Sequence, residues 1–400
     1  MSVLMPQPSR PMAVYLAAGS IFAAMAARGL LLPLRIHELG GDKVAVGLLF
    51  SVFTITAAGL SLPAGFLADR FGRRYLILFS IATGGVSQLG VAAASSVTPM
   101  FLWQALAGLG AGASQAALFA ALADATPGSR LGRSMGWLTL AMQVGFLVGP
   151  ALAGISLQWL SLQGALAFSS ALFGVALAVT LFGISSAAAT RKRFELLAPL
   201  RQIVRQPGFL PVSVALLGAT VLWGTLQAYL PLFGREQLGL PAVQIGYMIA
   251  IQAVANGLAR IPGGRLVDRV QRRGPIVIGG IIGFSLCLAL LPHLMGFWAT
   301  TALLVLAVPL LATVYIAVSV VFTSLSTHET RGVTMGLYSM VLYVGLGLGP
   351  AIFGTVMERS GYAVGFTACA ATGLVLAGLV AVLSRNPAGR RRAAVAAPGA

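Results

Sequence analysis

The sequence predicts an all-α membrane protein whose twelve transmembrane helices form two pseudo-symmetric bundles of six. Three observations predict it: a composition too apolar for a water-soluble fold, twelve apolar stretches of bilayer-spanning length, and an internal repeat that runs through most of the chain. Of 400 residues, 58% are hydrophobic and only 9% charged, with a mean hydropathy of +0.91; soluble domains carry roughly 25% charged residues.

The apolar stretches fall at 12–36, 44–66, 75–95, 98–124, 134–156 and 164–186, then at 210–233, 243–263, 275–295, 297–323, 334–357 and 363–384. At about 1.5 Å per residue each reaches across a hydrocarbon core of about 30 Å, and a helix satisfies its own backbone hydrogen bonds in lipid. The longest polar interval separates the sixth stretch from the seventh. The expected organisation is an N-terminal six-helix bundle over 1–186, a cytoplasmic linker over 187–209, a C-terminal six-helix bundle over 210–385 and a basic cytoplasmic tail over 386–400. In the linker, Phe194, Leu197, Leu200, Ile203 and Val204 interleave with Arg191, Lys192, Arg193, Arg201 and Arg205, the pattern of a short basic helix on an anionic leaflet. Pro199 leaves an irregular solvated loop as an equal alternative.

The formal net charge of +17 is distributed by side. With the N-terminus inside, 20 of the 26 Lys and Arg fall in alternate connections on that side, against Arg35, Lys43, Arg235 and Arg359 on the other. This obeys the positive-inside rule, which places both termini in the cytoplasm and accounts for the charge without a nucleic-acid partner. A bacterial cytoplasmic membrane is the expected location. The first apolar stretch is too long for a cleaved signal peptide and leads directly into a second span. Cys287 and Cys369 fall within spans, at no metal-ligand or disulfide spacing, and read as small packing residues. His37, His293 and His328 are scattered, and no phosphate-binding loop is present, so neither an enzyme, a metal site nor a bound cofactor is expected.

The repeat is clearest where Gly65-Phe66-Leu67-Ala68-Asp69-Arg70-Phe71-Gly72-Arg73-Arg74 returns 199 residues later as Gly264-Arg265-Leu266-Val267-Asp268-Arg269-Val270-Gln271-Arg272-Arg273, each copy preceded by Pro63 or Pro262. Met135-Gly136, Gly145, Gly149, Pro150 and Gly154 return at an offset of 200 as Met335-Gly336, Gly345, Gly349, Pro350 and Gly354. Leu32-Pro33-Leu34 answers Leu230-Pro231-Leu232, and Val46-Gly47 answers Ile245-Gly246. Six crossings return the chain to its starting side, so the two bundles share one orientation. Parallel repeats with a site at their interface are a recurring plan of secondary transporters.

These residues also carry a family resemblance. Gly65-x-x-x-Asp69-Arg70-x-Gly72-Arg73-Arg74 resembles the signature loop between the second and third spans of the major facilitator superfamily, and Asp268-Arg269 with Arg272-Arg273 resembles its weaker second copy. Pro127 to Gly136 is similar to the loop before the fifth span, and Gly145-x-x-x-Gly149-Pro150-x-x-Ala153-Gly154 resembles the fifth-helix motif of the efflux antiporters. The resemblance covers nearly the whole chain. It implies a transporter working by alternating access, with Asp69 helping to lock one of the two states and protons as a coupling ion.

Physically, Asp69 could accept from backbone N–H groups at a helix start or pair with arginines across the half interface. Gly65 would let another helix approach, and Gly72 would permit a tight turn. Arg70, Arg73 and Arg74 are alternatively topology determinants alone. The second copy departs at Gln271, where the first has Gly72, so the two loops need not contribute equally. Pro150 removes a helix donor while Gly145, Gly149 and Ala153 form a smooth stripe, and Pro350 with Gly345 and Gly349 repeats the pattern.

A charge near mid-bilayer costs about 2.5–3.5 kcal/mol even on the lenient insertion scale, so polar residues within spans point to the solute. Arg28 in the first span, matched with Gln227 in the seventh, and Gln115 in the fourth, matched with Tyr315 in the tenth, make a candidate polar quartet. The resemblance places those four spans around a central cavity; Trp223 and Phe119, one turn from Gln227 and Gln115, would add aromatic surface. Asn256 and Arg260 share a face of the eighth span, where the longer side chain could instead snorkel.

None of the nine acids falls mid-membrane, and Arg-x-x-x-Gly-x-Gly of the fourth span has Gln104 at its charged position, before Gly108 and Gly110. A buried cation without a buried carboxylate favours an anionic or amphipathic solute over a cation. The expected function is efflux of such a small organic compound by a monomer in the lipid bilayer. The alternatives are a facilitator or importer of an organic anion and, in a different class, a transporter-like ligand sensor or scaffold.

Overall fold

A computed structural model describes residues 11–127, 130–185, 197–270, 272–326 and 330–385. The first six helices are α1 (Pro11–Glu38), α2 (Lys43–Phe71), α3 (Arg73–Ala93), α4 (Met100–Ala125), α5 (Leu131–Ser156) and α6 (Leu162–Gly183). A short α7 (Leu197–Val204) leads to α8 (Phe209–Glu236), α9 (Ala242–Arg269), α10 (Gly274–Leu290), α11 (Phe297–Ser324) and α12 (Arg331–Arg385).

Eleven of these helices are long and apolar enough to cross a membrane. The last, 55 residues long, is interrupted at Gly361, whose φ of 80° and ψ of 172° is a conformation essentially confined to glycine. The eleventh and twelfth spans therefore follow each other across a single residue, where the sequence suggested a short polar connection. With that break the spans number twelve.

The helix starts follow local chemistry. The Asp42 carboxylate accepts from Ala45 N–H at 2.7 Å at the start of α2, and Ser161 Oγ accepts from Gly164 N–H at 3.1 Å at the start of α6. The linker forms α7, with Pro199 in its first turn, where a missing N–H costs nothing. Ile203 is buried beneath it while Arg201 and Arg205 are exposed; the rest of the basic run, Arg191 to Arg193, lies outside the described residues.

In the first half α1 packs on α5 and α6, α2 on α4, and α3 on α4 and α6. In the second, α8 packs on α12, α9 on α11, and α10 on α11 and α12. The halves join chiefly where α2 lies against α12 and α5 against α9. Glycine makes both joins close. A Cβ at Gly47 would run into the Pro350 carbonyl, and one at Gly246 would stand 2.6 Å from the Pro150 carbonyl oxygen. These two contacts are related by the sequence repeat, crossing from each half to the other. Along the same seam Ser51 Oγ donates to the Gly347 carbonyl at 2.7 Å.

Gly145 and Gly149 serve the interior of their own half. A Cβ on either would meet the backbone of α1, at Gly19 and Ala23. Gly345 and Gly349 do the same against α8, at Leu217, Thr220 and Val221. Gly154 meets Ala242 and Val243 of the other half. Both cysteines are free, Cys369 buried and Cys287 half-buried.

The backbone at Gly361 makes a clean prediction. Gly361→Ala should destabilise the protein by about 1–3 kcal/mol, read as a lower midpoint of thermal unfolding in detergent. Gly279→Ala, at a helical position where a Cβ meets nothing within 4 Å, should be neutral or stabilising by up to about 1 kcal/mol.

Candidate functional site

The connections richest in Arg define one face of the molecule, here the basic face. On it, Gly72 closes α2 and opens α3 with φ 93° and ψ 141°, donating its N–H to the Ala68 carbonyl. That conformation explains the glycine. Arg73 pairs with Asp124 and donates to the Ala120 carbonyl of α4 at 3.0 Å, while Arg74 donates to the Leu181 carbonyl of α6 at 2.9 Å. The Arg70 guanidinium lies 5.9 Å and 5.6 Å from the ring centroids of Phe66 and Phe71. All three arginines thus engage their own half. The Asp69 side chain lies outside the described residues.

Gly65 departs from the expectation of a close helix approach: a Cβ there meets nothing within 4 Å among the described residues, and Gly264 behaves alike. The close approach on α2 belongs to Gly47, near the opposite end. In the second loop Asp268, Arg269 and Arg272 are exposed and Arg273 is partly buried; Asp268 and Arg269 make no ion pair among the described residues, and Gln271 lies outside them.

Among the described residues no hydrogen bond joins the four members of the polar quartet to one another. Arg28 is buried at 7% exposure. Its guanidinium donates to Ser87 Oγ of α3 at 2.5 Å and to Gln104 Oε1 of α4; among the described residues Nε has no partner and no carboxylate pairs with it. Gln104, the departure from the Arg-x-x-x-Gly-x-Gly pattern, is thus the residue on which Arg28 rests. Gln115 is exposed, and Phe119 packs against the core of the first half. Trp223 lies 6.5 Å from Phe284 of α10 between ring centroids, and Tyr315 reaches the Ala219 carbonyl of α8 at 3.5 Å.

Gln227 instead joins a polar stripe on α9. Gln252 Nε2 donates to Gln227 Oε1 at 3.2 Å, leaving the buried Gln252 Oε1 without a partner. One turn on, Asn256 Oδ1 accepts from Gln143 Nε2 of α5 at 3.5 Å, across the half interface. A further turn on, Arg260 Nε donates to the same Asn256 oxygen at 3.4 Å. Tyr338 of α12 lies within electrostatic reach of the Arg260 charge. The lipid-facing side of α9 is marked by Val254, Leu258 and Ile261, exposed by 41%, 70% and 65%. At 3.6 residues per turn the stripe Gln252, Asn256, Arg260 lies on the other side of the helix, and yet Arg260 is exposed. Asn256, one turn earlier on this side, meets Gln143 of the other half, so Arg260 is exposed just beyond a half-to-half contact.

On the face opposite the basic loops, the start of α2 is held by the second half. Lys43 Nζ lies 3.4 Å from Glu236 Oε2 and 3.6 Å from Glu358 Oε2, and 5.1 Å from the centroid of the Tyr362 ring. The Lys43 backbone N–H donates to Glu358 Oε2 at 3.0 Å, and its carbonyl accepts from Tyr229 at 2.9 Å. The same Tyr229 hydroxyl reaches the Pro350 carbonyl at 2.8 Å. Tyr362 donates to Glu236 Oε2 at 2.9 Å, and His37 Nδ1 stands 3.4 Å from Glu236 Oε1. Sequence reasoning missed this cluster. Its signal was the balance of Lys43 with Glu236 and Glu358 on the face poor in cations.

An apolar groove of about 520 Å³ between α5, α9 and the start of α11 is lined by Leu147, Tyr247, Val254 and Trp298 among others, with no charged group. It opens on the lipid-facing stripe of α9.

Comparison with known proteins accords with the geometry. Over 353 residues the chain is 23% identical to an uncharacterized MFS-type transporter of Methanocaldococcus jannaschii, covering 86% of this chain and 90% of that protein. Over 360 residues it is 22% identical to Multidrug resistance protein 2 of Bacillus subtilis, covering 85% and 87%. Among solved structures, the nucleoside transporter NupG superposes with a TM-score of 0.76 at 15% identity, over 94% of this chain and 99% of that one. A POT family transporter solved with 5-aminolevulinic acid gives 0.77 at 11%, over 94% and 96%. These likenesses carry the fold. The profile described as Major Facilitator Superfamily matches residues 14–350 and, in a second match, 236–399; the chain is an integral membrane transporter and belongs to that superfamily.

Proposed function

We propose that this transporter exports a small organic solute, anionic or amphipathic, across the bacterial cytoplasmic membrane by alternating access. The basic face is assigned to the cytoplasm by the positive-inside rule, which puts both termini there. The observation that carries the reading is the closure of the outer face, where Gly47 lies against Pro350, Gly246 against Pro150, and the Lys43 cluster spans the halves. Nearer the basic face α2 still meets α12, at Leu62 against Gly336, and Arg260 is exposed. An outer face held shut with a cation exposed toward the inner side supports loading from the cytoplasm. Likeness to proteins named for multidrug resistance supports the outward direction. The absence of an acid from the middle of the spans supports an anionic or amphipathic solute over a cation. Arg70, Arg73 and Arg74 brace the first half at the inner gate. Protons as the coupling ion come with the family, and a pH gradient tests them.

Three outcomes are expected. In proteoliposomes oriented with the basic face outward, labelled organic anions should accumulate, and faster with an imposed pH gradient. Accumulation only in the reverse orientation would replace export by import, and binding without flux would replace transport by sensing. Flux indifferent to pH would remove proton coupling.

Gly246→Val should hold the outer seam apart. Leu30, 0% exposed and 3.5 Å from the position of a Gly246 Cβ, reports on it: a cysteine at Leu30 should become reactive to an impermeant maleimide from outside. Unchanged labelling would mean that this contact does not hold the outer face closed.

Tyr229→Phe should raise the same labelling about five-fold, the equivalent of about 1 kcal/mol for one hydrogen bond. Lys43→Met should act in the same direction but less per ion pair, because Lys43 and Glu358 are 20% and 39% exposed and solvent screens them.

A further inference from the structure

Arg28 and Arg260 both lie well inside membrane-spanning helices, and the structure gives them different surroundings. Arg28 is buried where α1 meets α3 and α4, with Ser87 and Gln104 taking its donors, and among the described residues it makes no hydrogen bond to the second half. Arg260 reaches the interface. Among the described residues its one hydrogen bond is the long one from Nε to Asn256, which leaves both terminal nitrogens of its guanidinium available to a solute. Arginine presents a planar pair of donors suited to a carboxylate.

The groups around Arg260 are neutral and polar. Asn256 and Gln252 stand one and two turns along the same face, Gln227 meets Gln252 from α8, and Gln143 faces Asn256 from α5. Gln252 is 2% exposed, with an oxygen that has no donor. A buried amide oxygen left unmatched costs free energy until a donor reaches it. From Gln252 to Arg260 the helix rises about 12 Å. The stripe therefore offers, in one line, an anion-binding fork and a hydrogen-bond acceptor, with apolar residues on either side.

We propose that Arg260, with Asn256, the Gln252–Gln227 pair and Gln143 of the opposite half, binds the acidic group and polar edge of the transported solute. The solute class is then a small amphipathic monoanion up to about 12 Å long, with a carboxylate at the cytoplasmic end and a donor toward Gln252. Because Gln143 and Asn256 come from different halves, the solute bridges the seam that must part and re-form in each cycle. This rests on the export reading and assigns its specificity to residues distinct from Arg28.

The test compares a panel of aromatic and aliphatic monocarboxylates, 1-naphthoate among them, with their neutral amides, by binding to protein in nanodiscs and by flux in proteoliposomes. At least one carboxylate should bind the wild type ten-fold or more tightly than its amide. Arg260→Gln should abolish that preference while leaving amide binding unchanged, and Arg260→Lys should keep part of it. Where Arg260→Gln does not fold, Arg260→Cys in a background lacking Cys287 and Cys369 supplies the answer. An impermeant cationic thiol reagent should modify it from the basic face, and the preferred carboxylate, not its amide, should block the modification. A preference that survives in Arg260→Gln, a cysteine that the carboxylate leaves unprotected, or no preference across the panel would overturn the proposal. Carboxylate binding lost in Arg260→Gln with no flux in the wild type would keep the site and overturn export. Flux of amides and carboxylates alike would keep transport and overturn the site.

Discussion

Two bundles that must separate and rejoin need a surface that is close without being interlocked, and here it is made by glycine against proline. Gly47 lies on Pro350 and Gly246 lies on Pro150, each glycine in one half and its proline in the other. The missing Cβ on each glycine lets its helix come to contact distance with the proline's own carbonyl across the seam. At these two points the contact is backbone on backbone, with the long side chains of Lys43, Glu236 and Glu358 standing beside the first. Deeper in each half the same glycine economy is spent differently: Gly145 and Gly149 fasten α5 to α1, and Gly345 and Gly349 fasten α12 to α8. Each rocking body is therefore rigid where its helices meet internally and smooth where it meets its twin.

The two seams are equivalent in backbone and unequal in chemistry. Around Gly47 and Pro350 stand Tyr229, Lys43, Glu236 and Glu358; beside Gly246, Leu30 takes the place that Tyr229 takes beside Gly47. At these contacts one seam is thus ionic and the other is not, although further along α9 the second carries the Gln143–Asn256 hydrogen bond. Duplication supplies the symmetric scaffold, and substitutions on one side turn it into a hinge with a preferred edge.

Much of this was legible in the sequence, and what was not has a physical reason. The twelve spans, the repeat and the Gly-Pro positions follow from hydropathy and spacing, and Gly72 was placed at a turn that requires its positive φ. Gly65 was misjudged because a glycine reports freedom from a side chain, not which neighbour exploits it. Arg28 and Gln227 share a position in the repeat, but depth in the membrane says nothing of direction around the helix. Arg28 turns inward to Ser87 and Gln104, while Gln227 turns to Gln252. Asn256 and Arg260 were recognisable as one face of α9; that this face borders the cleft depends on α5 and α12, whose placement is tertiary. The single-residue join at Gly361 was hidden because Glu358, Arg359 and Ser360 read as a loop and yet continue the helix.

Tyr229 has one hydroxyl proton and stands between two carbonyls, Pro350 of its own half and Lys43 of the other. When the halves part, the proton can remain with Pro350 while the Lys43 carbonyl turns to incoming water. Opening then strands no buried donor, and closing has only to expel a water. With an acceptor in each half, the hydroxyl keeps a partner in its own half whichever way the seam moves, so parting the two backbones here need not leave this donor unmatched.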